Sequence, residues 1–280
     1  MSYLLIRDVK LYTKVIGDGY PILVMHGGPG LDHTYLLSLN KLSNRFKIIY
    51  YDHRCNGRST VAKTETLTFE NCAADTEALR KQLGIDKWAI IGHSFGGMVA
   101  LEYALRYPNH LSHLILLDTG SNINLIKKEA SKQLIQLGYN KIAIKFAHRL
   151  YNGQLNKYEI FVALLLIGNA YFYKTTLQNI VQIAKGKNNI SILFKWFKNI
   201  SSYDWDVSLK LKGISCPTLV IAGIQDFLFP PKHQQFIAEQ IPNSKLKIIE
   251  YAGHYAPLEK TKEIVDIVQE FMSCSKIDNH

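Results

Sequence analysis

Cysteine is scarce in this chain. Four occur in 280 residues, Cys55, Cys72, Cys216 and Cys274, and no two are spaced C-x-x-C. That excludes a disulfide scaffold and a thiolate zinc site, and it fits a reducing, cytoplasmic setting. Long apolar runs are also absent. The longest, at 160–167, has eight residues, well short of the ~20 needed to span a bilayer. The opening residues, Met1-Ser2-Tyr3-Leu4-Leu5-Ile6-Arg7-Asp8, lack the basic start and apolar core of a signal peptide. There is no internal repeat and no low-complexity tract. With 47% apolar and 20% charged residues, the composition excludes disordered, collagen-like and coiled-coil chains. At ~150 residues per domain, the length allows two units, or one large α/β unit carrying an insertion.

Acidic residues are nearly missing from one segment. Residues 122–203 hold eleven lysines and Arg149 against only Glu129 and Glu159, so the chain's whole net charge of +10 falls there. The segment is also the richer in aromatic residues. Such a break argues for a unit inserted into a neutral host. The expected organisation is therefore a first core part at 1–121, a strongly cationic helical insert at 122–203, and a second core part at 204–280. A lysine-rich face is ordinarily a solvated one. The sharper reading is that some of these lysines draw in an anionic substrate or dock the protein on an acidic surface. Nucleic acid is not an expected partner, because lysine prevails over arginine and no base-reading motif occurs.

The host alternates short apolar runs with helical patterns. Pro21-Ile22-Leu23-Val24-Met25 stops at Gly27-Gly28-Pro29-Gly30, and 46–51 stops at Asp52. Trp88-Ala89-Ile90-Ile91 ends at Gly92, and Leu114-Ile115-Leu116-Leu117 ends at Asp118. Thr218-Leu219-Val220-Ile221 and 246–249 follow the insert. Continuous β-branched runs of this length predict strands buried on both faces, as in a parallel sheet. Helices are predicted at 94–107, halted by Pro108, and around Ile264, Ile267, Val268 and Phe271, which keep helical spacing. Residues 1–16 read as a hairpin on the sheet edge. The result is an open α/β sandwich with right-handed crossovers.

The strongest chemical signal is Gly92-His93-Ser94-Phe95-Gly96-Gly97. It follows a predicted strand and opens a predicted helix, the setting that the G-x-S-x-G pattern requires. Small residues let a strained turn lift the serine hydroxyl above the sheet, and the Phe95 N–H at the helix start can face an oxyanion. Gly28, in the loop after the first central strand, offers a second N–H at the same end of the sheet. A nucleophilic serine needs a base, and the base needs an orienting acid. Asp226 and His254 end later strands in the chain order Ser, Asp, His. Asp118, which also ends a strand, is the rival acid. His26 and His93 border these motifs as loop braces or substrate contacts.

These motifs resemble the α/β-hydrolase superfamily. Within it, His26-Gly27-Gly28-Pro29-Gly30 together with Tyr51-Asp52-His53-Arg54-Cys55-Asn56-Gly57-Arg58-Ser59 resembles the proline iminopeptidase-like branch. The match covers about 1–120 and 205–280, whereas the insert resembles a helical cap in position and composition only. The resemblance implies a triad of Ser94, Asp226 and His254, an oxyanion hole of Gly28 and Phe95, and structural ion pairs for Arg54 and Arg58. Three departures stand out. Cys55 replaces the usual glycine, the serine motif is closer to esterases of the fold, and acids are scarce in the cap. The peptidases of this branch bind the substrate's free amine with cap acids, and here Glu159 is the first candidate for that contact.

The expected function is accordingly a serine hydrolase that forms an acyl-enzyme from a carboxylic ester or small amide. A proline iminopeptidase-type aminopeptidase is the alternative, and a ligand-binding protein on a hydrolase scaffold with a slow triad is the second. No metal or organic cofactor is implied. The expected partner is a small-molecule or short-peptide substrate. Relatives of this fold that open epoxides or remove halogens are disfavoured, because they carry Asp where Ser94 stands.

Overall fold

The structure, a computed structural model, describes residues 2–200 and 204–274. Its frame is one eight-stranded sheet in the order β1-β2-β4-β3-β5-β6-β7-β8. The strands are β1 (Ser2–Ile6), β2 (Val9–Ile16), β3 (Tyr20–Met25), β4 (Phe46–Tyr51), β5 (Trp88–His93), β6 (Leu111–Leu117), β7 (Thr218–Gly223) and β8 (Ser244–Ile249). β1 and β2 form the expected antiparallel edge hairpin, and β2 runs antiparallel to β4. From β4 to β8 every neighbouring pair is parallel. The central strands are buried from end to end, β5 and β7 at every residue. Both faces are covered by helices, which is why the sequence shows unbroken apolar runs there instead of alternation.

On the core, α1 (Phe69–Gln82) and α2 (Phe95–Arg106) pack against each other, followed late in the chain by α8 (Pro231–Gln240), α9 (Ala256–Glu259) and α10 (Thr261–Cys274). α1 is capped by the Thr68 hydroxyl on the Asn71 N–H and stops before Gly84, whose φ of +65° ends the turn. α8 starts on Pro230-Pro231, where a missing N–H costs nothing.

Between β6 and β7 the chain leaves the sheet and returns. The two arms meet where Asn122 bridges Asp206, and Ile123 N–H donates to the Trp205 carbonyl at 3.0 Å. The Trp205 indole N–H anchors this neck by donating to Glu102 Oε2 at 2.9 Å. The excursion holds α3 (Asn124–Gln136), α4 (Lys141–Tyr151), α5 (Lys157–Ile167), α6 (Leu177–Ala184) and α7 (Ile190–Ile200), and no strand among its described residues. These helices lie over the carboxyl ends of the parallel strands. Strand order reverses between β3 and β5, so the loops that follow those two strands flank a crevice.

Candidate active site

Three local devices bring the polar groups to that crevice. The first is the turn at the end of β5. Ser94 has φ +52° and ψ −120°, a conformation that L-residues avoid and that packing must hold. It persists because the strand and α2 approach each other too closely for side chains. A Cβ on Gly92 would lie 2.6 Å from the Gly96 carbonyl oxygen, and one on Gly96 would collide with the Met25 carbonyl. The Ser94 carbonyl takes the Thr119 hydroxyl proton at 2.7 Å, which pins the turn from beneath.

The second device is the turn after β7. Asp226 Oδ1 accepts from the Leu228 and Phe229 N–H groups at 2.8 and 3.1 Å, leaving Oδ2 for a side-chain partner. The third is the loop after β8, where Gly253 N–H donates to Glu259 Oε2 at 2.8 Å and holds the backbone at His254.

Across these turns runs a chain of two hydrogen bonds. Ser94 Oγ lies 2.9 Å from His254 Nε2, and His254 Nδ1 lies 2.9 Å from Asp226 Oδ2. All three residues are nearly or fully buried. With Nδ1–H donating to the carboxylate, Nε2 is free to accept the serine proton. Asp118, the rival acid, does not enter this chain. Its Oδ1 accepts the Gly223 N–H at 2.7 Å, and burial with the neighbouring Asp226 charge pushes its carboxyl well above the usual range.

Gly28, His93 and Phe95 line the same cavity as Ser94 and His254. Phe95 opens α2, so its N–H has no acceptor inside the helix. Gly28 has φ +120°, which only glycine adopts cheaply, and this turns the loop after β3 towards the serine.

His93 braces the site. Tyr35 Oη accepts from Gly27 N–H at 2.6 Å and donates to His93 Nδ1 at 2.7 Å. His93 Nε2–H then donates to the His254 carbonyl at 2.8 Å. One unbroken path thus links the Gly28 loop to the backbone of His254. Burial, reinforced by the adjacent His254, pushes His93 down to about 3, so it remains neutral and keeps one donor and one acceptor. The sequence does not reveal Tyr35, because nothing in a Thr-Tyr-Leu-Leu stretch marks a hydroxyl that closes a contact 58 residues away.

Two expected contacts are corrected. His26 does not reach the cavity. Its Nδ1–H donates to the Gly27 carbonyl at 2.6 Å and its Nε2 accepts the His53 N–H at 3.1 Å, so the ring is spent on bracing two loops. Glu159 is also elsewhere. It completes a capping box with Asn156 at the start of α5 and pairs with Arg149 at 2.8 Å. A glutamate three residues after an asparagine, before an apolar run, is the local signature of that cap.

Arg54 binds Asp75 with two hydrogen bonds, at 2.6 and 2.7 Å, and Arg58 pairs with Asp32. Asp32, His33 and Asp52 form the one side-chain group, among the described residues, spaced to hold a cation. Protein donors already occupy it. Asp52 takes His33 Nδ1 at 2.6 Å and the Arg58 N–H at 2.8 Å, and Asp32 takes Arg58, the Thr34 N–H and the Lys187 N–H. The cluster therefore ties the loop after β3 to the insert.

The cavity above Ser94 has a volume of about 640 Å³. Its walls come from α5, α6 and α7 on one side and from the turns at Ser94, Leu228 and His254 on the other. Met98, Leu164, Leu193, Trp196 and Phe229 are typical lining residues, and among the described residues no Asp, Glu, Lys or Arg lines it. The Tyr151 and Tyr171 hydroxyls in the wall are bonded to each other at 2.9 Å.

Known proteins agree with this geometry at the level of family. A family model described as alpha/beta hydrolase fold matches residues 20–261. A proline iminopeptidase of Saccharolobus solfataricus is 32% identical, with 94% of this chain and 87% of that protein aligned. The crystal structure of a Mycobacterium smegmatis proline iminopeptidase superposes with a TM-score of 0.81 at 23% identity, covering 97% of both chains. A thermophilic esterase from Thermogutta terrifontis superposes with a TM-score of 0.69 at 26% identity, covering 95% of this chain and 93% of its own. No helix among the described residues is long and apolar enough to cross a membrane.

Proposed function

Because the chain belongs to the α/β-hydrolase fold family, we propose that it is a serine hydrolase cleaving neutral carboxylic esters through an acyl-enzyme on Ser94. The observation that carries this reading is the bonded chain Ser94–His254–Asp226 opening into a cavity with no Asp, Glu, Lys or Arg among its described lining residues. In this mechanism Ser94 Oγ bonds to the substrate carbonyl carbon while its proton passes to His254 Nε2. The carbonyl electron pair becomes an oxyanion, received by the N–H groups of Gly28 and Phe95. Collapse breaks the bond to the leaving alkoxide, which takes the proton from His254. Water then attacks the acyl-enzyme, gives its proton to His254, and releases the acid as Ser94 regains its hydrogen. Asp226 holds the imidazole in the working tautomer and offsets its transient charge. The insert acts as a cap that encloses the acyl group.

The relatives' name favours a second reading, removal of N-terminal proline from peptides. That substrate brings an ammonium group, and burying it without a carboxylate is costly. Glu159 is spent at the start of α5, and Glu129 pairs with Lys232 at 2.8 Å and is not among the residues that line the cavity. Ester hydrolysis is therefore placed first. The test is a fluorophosphonate probe and a panel of short acyl esters and proline anilides, with Ser94→Ala alongside. Rapid labelling lost in Ser94→Ala, with esters preferred, is the expected result. Preference for proline anilides would replace the ester reading with the peptidase one, and absence of both labelling and turnover would overturn the hydrolase reading.

A further inference from the structure

The cap turns an apolar, cationic face outward around the mouth of the cavity. On α6, Leu177, Ile180, Val181 and Ala184 keep the i, i+3, i+4, i+7 spacing that ordinarily marks a buried stripe, yet all four are exposed. The buried residue of that helix is Asn179. α5 does the same on its outer side. Ile160, Ala163 and Ile167 pack inward, while Tyr158 (82% exposed), Phe161, Val162 and Leu165 face out. Phe161, Leu165 and Ile180 also line the cavity, so the outer apolar face and the cavity wall are one continuous surface.

Along the two helices themselves the charge has one sign, and the acids of the neighbouring core, led by Glu259 on the Tyr173 and Lys174 N–H groups, lie beyond the start of α6. Lys157, Lys174, Lys185 and Lys187 are exposed between 155 and 187, and the single acid there, Glu159, is paired with Arg149. Lysines at the ends of α5 and α6 beside exposed leucine, valine and aromatic residues form the pattern of an interfacial element, apolar groups to enter and cations to hold. A second copy of a chain carrying +10 would meet like charge. A surface offering negative headgroups above an apolar layer complements both features.

We propose that the outer face of α5 and α6 docks on an anionic lipid surface, with the cavity mouth against the interface. Docking does not depend on turnover, so it stands or falls apart from the hydrolase reading. The experiment is flotation of the purified protein with vesicles of phosphatidylcholine and phosphatidylglycerol in equal parts, against phosphatidylcholine alone. The protein is expected to float with the anionic vesicles and to be released by salt. Lys174→Gln and Lys185→Gln should each weaken partition about five-fold. Leu177→Ser combined with Val181→Ser should weaken it by ~10-fold or more. These variants should hydrolyse a short soluble ester like wild type, and Ser94→Ala should float like wild type. Failure to float with anionic vesicles would overturn the proposal, as would equal, salt-insensitive flotation with both vesicle types. A dimer in sedimentation that Leu177→Ser with Val181→Ser dissolves would also overturn it, by assigning the face to a second copy.

Discussion

Tyr35→Phe removes one oxygen atom and tests whether the Gly28 loop and the backbone of His254, the proposed base, are held as a unit. In the native protein that hydroxyl receives Gly27 N–H at 2.6 Å and donates to His93 Nδ1 at 2.7 Å. Tyr35 is buried, and its ring packs edge-on against His93 and Tyr255, so no solvent replaces the lost group without rearrangement. Two buried polar groups lose their partner at once. Each costs about 1–3 kcal/mol when left unmet, so the variant should lose about 2–6 kcal/mol of stability. The effect on turnover comes through position. Gly27 precedes the proposed oxyanion donor Gly28, and His93 supports the carbonyl of His254 at 2.8 Å. Complete loss of an oxyanion donor lowers turnover by ~10²–10³. Loosening one should lower kcat by ~10–100-fold and leave KM nearly unchanged, because the loss falls on the transition state. Urea unfolding and steady-state hydrolysis of a short nitrophenyl ester supply both readouts. Tyr50→Phe is the control, since that buried hydroxyl donates to the Leu36 carbonyl at 3.4 Å and Tyr50 is not among the residues lining the cavity. Wild-type kcat together with wild-type stability in Tyr35→Phe would refute the reasoning.

Other outcomes follow from single contacts. Asp226→Asn keeps an acceptor for the Leu228 and Phe229 N–H groups but turns an amide towards His254 Nδ1, favouring the wrong tautomer; kcat should fall by ~10³–10⁴-fold in the same ester assay, with the fold retained by circular dichroism. Asp32→Asn discharges the partner of Arg58 and weakens the acceptor for Lys187 N–H, so hydrogen exchange at the Lys187 amide should accelerate before exchange in the central strands does. Burial holds His26 and His53 below the ordinary histidine range and His93 at about 3. Unfolded histidines take up a proton below about pH 6.5, whereas these folded ones resist, so the unfolded state binds more protons as the pH falls. The stability they contribute is whole above that pH and is lost as the pH drops towards the folded values, by ~1.4 kcal/mol per pH unit for each histidine. Asp118, raised by burial, pulls the opposite way, so the comparison that isolates His93 is wild type against His93→Gln in urea at pH 7 and pH 5. The variant should show the shallower dependence, and identical slopes would contradict the assignment.

The chain itself determined a great deal. The strand runs, the edge hairpin, the helix start after Ser94, and the position of the helical excursion were legible because they rest on local spacing and turn chemistry. The strand-end positions of Ser94, Asp226 and His254 were legible because glycine-bounded strand ends mark where a parallel sheet presents its loops. Contacts across the fold were not legible. Asp226 and Asp118 both end central strands, and the choice between them lies in which carboxylate oxygen the turn leaves open towards His254. Glu159 stood as an amine-binding acid until its neighbours Asn156 and Arg149 claimed it. The Tyr35 hydroxyl joins residues from three separate stretches, and the neutrality of the cavity is a property of its assembled wall. The apolar stripe of α6 predicts burial by its period, but only packing decides whether anything covers it. Period and spacing fix the backbone's local form. Which side chains share a hydrogen bond, a charge or a cavity depends on distances between strands and helices that only the folded chain sets.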